Sequence, residues 1–471
     1  MIKFGTSGWR AIIADEFTFK NVTAVSRAIA RHLKKRVKRG AAKSIKVAIG
    51  CDTRFLSEKF SGAAASALKE EGIHPIVLQG FAPTPVIAFT VINKKWDGGI
   101  NITASHNPPE WSGIKFTTER GAPAPLDVTK EIENLVSDIL RSEELPVMPV
   151  DAGDHPVFDP LRDYSKRLQD LIDLRSIAKS KVRIGVDPMF GAGISFMRDI
   201  LTRNGIKFEM IHDRRDTRFG GKAPDPSEAN LAELRTMVVS KKMDLGIALD
   251  GDADRFGFID RDGSYANPNL ILGLLADYLI RSRGWKSGVG LTVATGHLMK
   301  EVARKNGIPV FVTPVGFKYL GDLITDGKAF IVGEESAGMS IQGHIPEKDG
   351  ILATLLVLEM VATQRKSLKQ LRNSLFRKVG GFYNERVNIP VSREIMDKFD
   401  EKLKNIPDKV ARQLVRDIDR MDGIKILFKN GSWILYRRSG TEPVVRLYAE
   451  AHTEDELARL VSGAKKFLLS D

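Results

Sequence analysis

Asp250, Asp252 and Asp254 alternate in the run Asp250-Gly251-Asp252-Ala253-Asp254-Arg255, directly after an apolar stretch, Leu245 to Leu249, that reads as a buried strand. Alternate side chains of an extended segment point the same way, so three carboxylates at this spacing converge and repel unless a cation sits among them. An all-oxygen set of this kind suits a hard divalent ion, Mg²⁺ above all. A calcium loop of the EF-hand type is excluded, because it needs Gly and Glu where this chain has Arg255 and Arg261. Arg255, beside the carboxylates, suits a phosphate that also touches the metal. Ser105 is the second centre. It lies in Thr103-Ala104-Ser105-His106-Asn107-Pro108, a polar loop after the apolar run Gly98 to Ile102. A serine hydroxyl is a weak nucleophile that needs activation, and His106, Lys115 and the metal are the candidate partners. No Gly-x-Ser-x-Gly elbow surrounds it, so an acyl-transfer triad is not indicated.

Two further loops carry weaker signals. Arg437, Ser439, Gly440 and Thr441 combine a guanidinium, two hydroxyls and a glycine after a strand-like run, a set that wraps and forks a phosphate, with Arg446 as a second cation. Glu334 and Ser336 offer an acceptor and a hydroxyl suited to sugar hydroxyls.

The elements that must position these groups form a repeat. Lys46 to Gly50, Ile73 to Leu78 and Gly98 to Ile102 read as strands separated by helical segments, and the last opens into the Ser105 loop. The order returns with Val182 to Val186, Gly205 to Phe208 and Leu245 to Leu249, which opens into the aspartate loop. A third pass runs through Gly290 to Val293, Gly307 to Val310 and Phe330 to Val332, and opens into Gly333-Glu334-Glu335-Ser336. Strands alternating with helices imply largely parallel sheets covered on both faces, with ligands gathering beyond the carboxyl ends of the strands. After about residue 372 the pattern changes to strands at Ile424 to Phe428, Trp433 to Tyr436 and Val444 to Glu450, the first two joined around Asn430-Gly431. A final helix is capped by Thr453 and Glu456. The reading is three related α/β domains, 1–155, 156–260 and 261–372, and a smaller α+β domain, 373–471. The Pro-rich stretch from Pro146 to Pro160 marks the first boundary, and the change of architecture near 372 suggests a hinge.

Composition narrows the class without deciding it. The 471 residues exceed one ordinary domain, and 42% hydrophobic with 28% charged residues is usual globular composition. No apolar run reaches the roughly 18 residues that cross a bilayer, and the start lacks the apolar core of a signal peptide. Cys51 is the only cysteine, so no internal disulfide forms and a reducing cytoplasm is the natural expectation. The formal charge of +13 allows polyanion binding, but the basic residues are scattered and no aromatic-rich nucleic-acid motif accompanies them. The densest run, Arg31 to Arg39, continues a helix with an apolar stripe at Val25, Ala28, Ile29, Leu33 and Val37, and reads as its solvated outer face.

Together the four loops, at 103–108, 250–255, 333–336 and 437–443, resemble those of the α-D-phosphohexomutase family, in the same order and over essentially the whole chain. The resemblance implies three related α/β domains and a C-terminal domain around a central cleft. It also implies a phosphorylated Ser105 and one Mg²⁺ held by Asp250, Asp252, Asp254 and the Ser105 phosphate. Phosphoserine gives its phosphoryl group to a hexose monophosphate, and the hexose 1,6-bisphosphate, also the primer, turns over and returns its other phosphate. Lys115 is the first candidate for general base, which requires a lowered pKa, and His106 the second; Arg10 matches the family's N-terminal arginine near the phosphoserine. Arg437, Ser439, Gly440, Thr441 and Arg446 would grip the non-reacting phosphate. Glu334, Ser336, His344 and Lys348 would touch the sugar. Glu335 places the chain near the phosphoglucomutase branch, while Ala337 departs from a common glycine. The expectation is a cytoplasmic phosphoglucomutase, monomer or homodimer, with no nucleic-acid or membrane partner. Mutases for mannose or glucosamine phosphate are the near alternatives, and a non-catalytic polyanion binder on this fold the distant one.

Overall fold

The computed structural model describes residues 2–36, 44–145, 155–404, 406–438 and 444–469. These gather into two compact units. The first comprises 1–266, 316–327 and 336–368; the second comprises 267–315, 328–335 and 369–471.

The first unit holds two sheets. One has six strands in the order Trp9–Ile12, Trp111–Thr118, Gly98–Ile102, Lys46–Cys51, His74–Leu78, Val157–Phe158. Lys46–Cys51 runs parallel to both its neighbours, while Trp111–Thr118 is antiparallel to Gly98–Ile102 and to Trp9–Ile12. The other sheet, Phe256–Asp260, Leu245–Leu249, Ile184–Asp187, Phe208–Met210, repeats the device: three parallel strands and one antiparallel return. Both chemically suggestive loops are therefore returns between a buried parallel strand and its antiparallel partner. That geometry fixes each loop at both ends by a ladder of backbone hydrogen bonds. The two returning strands were not read from the sequence.

Two expected strand starts are corrected. Gly205 and Gly307 have positive φ and close the preceding helices, and the strands begin later, at Phe208 and Val310. A glycine in the left-handed region ends a helix without the Cβ penalty. The basic helix Phe19–Arg36 is also less solvated than expected. Arg31 pairs with Glu71 and Glu143, Lys34 with Glu71 and Lys35 with Glu131, while His32 is buried against Glu131. Val37, Pro146 and Pro149 lie outside the described residues.

The second unit contains three parallel strands, Val310–Thr313, Val289–Thr292 and Ile331–Gly333. It also contains an antiparallel six-stranded sheet in the order Tyr383–Pro390, Val444–Ala451, Trp433–Arg438, Ile424–Phe428, Gln413–Asp419, Lys409–Val410. One face of that sheet is apolar: Ile426, Phe428, Ile434, Tyr436, Val445 and Leu447 are buried in one core with Leu457, Leu460 and Val461 of the helix Glu454–Leu469. Glu456 donates its backbone N–H to Thr453 Oγ1, and its carboxylate accepts from His452 N, closing the cap expected from the sequence. Segment 261–372, read as one domain, is divided between the two units. Among the described residues no helix is long and apolar enough to cross a membrane.

Candidate active site

Ser105 is 1% exposed and sits at φ +54, in the left-handed region that costs a serine strain and persists only when its surroundings over-determine it. They do. Its backbone N–H donates to Thr103 Oγ1 at 2.8 Å, and its hydroxyl donates to Asp250 Oδ2 at 2.7 Å. Gly251 packs so tightly against the Ser105 carbonyl that a Cβ would stand 2.6 Å from it, which explains the glycine between the first two aspartates. Beneath the loop lies Arg54, fully buried. Its guanidinium donates to the carbonyls of Ser105, Asn107, Pro108 and Trp111 at 2.7–2.9 Å and to Asp52 Oδ2 at 3.1 Å. Asp52 in turn accepts from Thr103 at 2.6 Å. Arg54 and Asp52 were missed from the sequence, although Asp52-Thr53-Arg54 follows the strand Lys46–Cys51 at its carboxyl end, the position that flagged the other loops.

Asp250, Asp252 and Asp254 are buried, with ligand oxygens all within 4.8 Å of one another. Lys115, brought in by the strand Trp111–Thr118, donates to Asp252 at 2.6 Å and Asp254 at 2.8 Å. Lys348 stands 3.3 Å from Asp254 and Thr84 donates to Asp252 at 2.5 Å. The helix Gly350–Gln364 starts against the loop: Gly350 N donates to the Ala253 carbonyl, and a Cβ at Gly350 would meet the Arg255 carbonyl at 2.5 Å. Burial and the two neighbouring aspartates push the Asp250 carboxyl well up. Burial also opposes ionisation of Asp254, but Lys115, Lys348 and Arg255 outweigh it and hold this carboxyl well below the usual range. The donor set fits a hard cation. Asp252 Oδ1 and Asp254 Oδ1 are buried with no hydrogen-bond partner, so each offers a lone pair that only an ion or its water would satisfy.

The pKa of Lys115 is raised: burial opposes the charge, but Asp252 and Asp254 more than compensate. His106, half-buried with Nδ1 3.4 Å from Ser105 Oγ, is held neutral by burial and by Arg255 and Arg10. Arg10 donates to Asn107 Oδ1 at 2.6 Å. Arg255 is 3.9 Å from Asp254, and its backbone N–H donates to Asp250 Oδ1. Ser336 is half-buried in the same unit. The His344 side chain is buried and binds Asp349 Oδ2 at 2.7 Å, an oxygen that also accepts from Tyr164, while Asp349 Oδ1 caps the helix Gly350–Gln364. Glu347, 2% exposed beside Lys348 and electrostatically linked to Lys115, was not anticipated.

In the second unit, Glu334 is buried after the strand Ile331–Gly333. Arg437 and Arg446 face each other directly across adjacent antiparallel strands. Like charges in that register repel unless an anion lies between or beside them. Asp422 takes Arg437 Nε and Nη2 at 3.1 and 3.0 Å, whereas Arg446 Nε is buried without a partner. Ser439, Gly440 and Thr441 lie outside the described residues.

Comparison with known proteins matches the chain to four successive descriptions. They are the phosphoglucomutase/phosphomannomutase alpha/beta/alpha domain I over residues 1–142, domain II over 162–263, domain III over 267–379 and the C-terminal domain over 387–464. The phosphoglucomutase/phosphomannomutase of Thermococcus kodakarensis is 32% identical over 96% of this chain and 95% of its own. The phosphoglucosamine/phosphogalactosamine mutase of Sulfurisphaera tokodaii is 29% identical over 99% of this chain and 98% of its own. Among solved structures, parafusin from Paramecium, a phosphoglucomutase in its open form, superposes with a TM-score of 0.84 at 25% identity, covering 99% of this chain and 94% of that one.

Proposed function

From the premise that this chain belongs to the phosphoglucomutase/phosphomannomutase family and is a phosphohexose mutase, we propose that it interconverts glucose 1-phosphate and glucose 6-phosphate through phospho-Ser105. The observation that carries the reading is the buried Ser105 hydroxyl, 2.7 Å from Asp250 within a group of three converging carboxylates. No acyl-transfer machinery surrounds it in the described residues. The lysine, arginine and carboxylate charges there suit a phosphoryl group, whose transfer rests on positioning and electrostatics.

Asp250, Asp252 and Asp254 would hold Mg²⁺ with an oxygen of the Ser105 phosphate, and the ion supplies charge neutralisation on the transferring oxygens. A sugar hydroxyl attacks the phosphorus of phospho-Ser105, the bond to Oγ breaks, and hexose 1,6-bisphosphate forms. After the intermediate turns over, Oγ attacks the other phosphate and the monophosphate isomer leaves. Hexose 1,6-bisphosphate also primes unphosphorylated enzyme. Lys115 serves as a fixed positive charge facing the transferring group, with Arg10 and Arg255 beside it. Neutral His106 is the group in the right protonation state to take the hydroxyl proton. Arg437 and Arg446, with the 439–441 segment, grip the phosphate that does not react, and Glu334, Ser336 and Lys348 meet the sugar. The protein works in the cytoplasm as a monomer or homodimer.

The test is turnover of glucose 1-phosphate with Mg²⁺ and a trace of glucose 1,6-bisphosphate, beside Ser105→Ala. Conversion that falls at least about 10³-fold in the variant supports nucleophile and reaction together. Faster turnover of mannose or glucosamine 1-phosphate replaces the substrate and keeps the mechanism. Wild-type activity in Ser105→Ala overturns the phosphoserine.

A further inference from the structure

Between the strand Phe208–Met210 and the helix Ala232–Ser240 runs a segment, 212–224, that the proposed reaction does not use. It begins and ends on the sheet that carries the aspartate loop. At its start His212 Nδ1 lies 3.0 Å from both Asp187 oxygens, and the His212 carbonyl accepts from Phe190 N at 3.0 Å. At its end the Pro224 carbonyl accepts from Gly251 N at 3.2 Å, and a Cβ on Gly251 would stand 3.1 Å from Pro224 Cγ. In between, the segment leaves its own sheet and grips a loop of the other one in the same unit. Arg215 forks the Glu58 carboxylate, Nη1 to Oε1 at 2.6 Å and Nη2 to Oε2 at 2.7 Å. It also donates to the Thr53 and Arg54 carbonyls, each at 3.2 Å. The buried Phe219 ring lies 5.0 Å from the Arg54 guanidinium carbon. Arg54, whose guanidinium holds four carbonyls at and after Ser105, is thus held by its own carbonyl and covered by a ring from the other sheet.

A partly exposed ion pair alone is worth little. Here the fork adds direction, because a carboxylate and two carbonyls fix the plane of the guanidinium as well as its place. The backbone is shaped to the same end. Phe219 sits at φ +49, followed by Gly220 at +65 and Gly221 at +81. A bulky residue in the left-handed region is strained and persists only when its surroundings over-determine it. Asp216 supplies that, accepting from Arg218 N at 2.9 Å and Gly220 N at 3.1 Å, and the turn delivers the ring to Arg54.

We infer that Arg215 is a positioning residue: through the segment 212–224 it sets the register of the Ser105 loop against the aspartate loop. The inference rests on the mutase reading, in which an oxygen on Ser105 and three carboxylates share one cation. Those groups stand on separate sheets, so their spacing needs a tie that neither sheet provides alone.

The experiment uses the full chain with Arg215→Met and Glu58→Gln, and two readouts. In turnover of glucose 1-phosphate, Arg215→Met lowers kcat about tenfold and leaves KM within about threefold, because the reacting groups lose their spacing while the groups that bind substrate keep theirs. In hydrogen exchange, protection falls in 52–56 and 103–107 and holds in the strands 98–102 and 245–249. Wild-type kcat in Arg215→Met overturns the proposal, as does unchanged protection in the two loops. Protection lost equally from the strands, with kcat and KM failing together, also overturns it, since that is general destabilisation. If the wild-type chain turns over no hexose phosphate, the mutase reading fails while exchange still decides the tie. If Arg215→Met does not fold, Glu58→Gln loosens the same fork from its other side, and its having no effect on kcat or exchange overturns the tie equally.

Discussion

Around Ser105 in the first unit nearly every charge has a near partner: Lys115 sits on two aspartates, Lys348 on a third contact, and Arg54 is spent entirely on carbonyls and Asp52. At the arginine end of the C-terminal sheet the balance is reversed. Arg437 and Arg446 oppose each other across the ladder, with Asp422 beside only one of them. The first arrangement is what chemistry on a transferring group requires, because preorganised charges in a dry site cost no reorganisation when the reaction occurs. The second suits reversible capture of an anion, which would supply the missing countercharge.

Breaking the first site should cost most. Asp252→Ala removes a proposed cation ligand and one of the two carboxylates that hold Lys115, and it is expected to lower kcat/KM by at least about 10³-fold and abolish Mg²⁺ binding by calorimetry. Arg54→Met leaves Asp52 buried without its partner and frees four carbonyls, so chemical denaturation should show a loss of about 3–5 kcal/mol. A smaller effect is expected from pH. Burial raises Asp52 to about 6 in the folded chain, against 3.8 unfolded. The raised value means the group's contribution is fully present below pH 3.8 and is lost as pH rises through 6. Unfolding free energy should therefore carry a term that falls by roughly 2–3 kcal/mol over that window, and Asp52→Asn should flatten the slope.

The open site should be softer. Arg437→Gln is expected to raise KM about tenfold with kcat nearly unchanged, since the grip is shared by ground and transition states. Asp422→Asn should change KM by no more than about threefold, because a ligand phosphate can take over the freed guanidinium. If Asp422→Asn instead costs as much as Asp252→Ala, the contrast between a prepaired and an open site is wrong.

Much of this was legible before any coordinates. Gly98–Ile102 and Leu245–Leu249 were read with their observed bounds, because each is a short apolar run buried on both faces. Their polar successors stood out against them. The returning strand Trp111–Thr118 was not legible. It buries Ser112, Lys115, Thr117 and Thr118, so it shows neither the alternation nor the apolar run of a strand. Gln413–Asp419 was missed for the opposite reason: its exposed and half-buried polar residues look like a loop. The bond from His344 to Asp349 was not legible either, because a histidine near a sugar motif has the same letter whatever it packs against.

By itself the sequence determined which polar loops follow buried strands, since carboxylate spacing, a hydroxyl in a polar loop and Gly-bearing strand ends are local properties carried by adjacent residues. Only the tertiary structure decided what each group can do. Whether Lys115 is a base or a fixed cation depends on Asp252 and Asp254, more than a hundred residues away. The isolation of Arg54 from solvent likewise depends on which distant segments fold over it. Protonation and hydrogen bonding are set by distance and dielectric, and a linear sequence states neither.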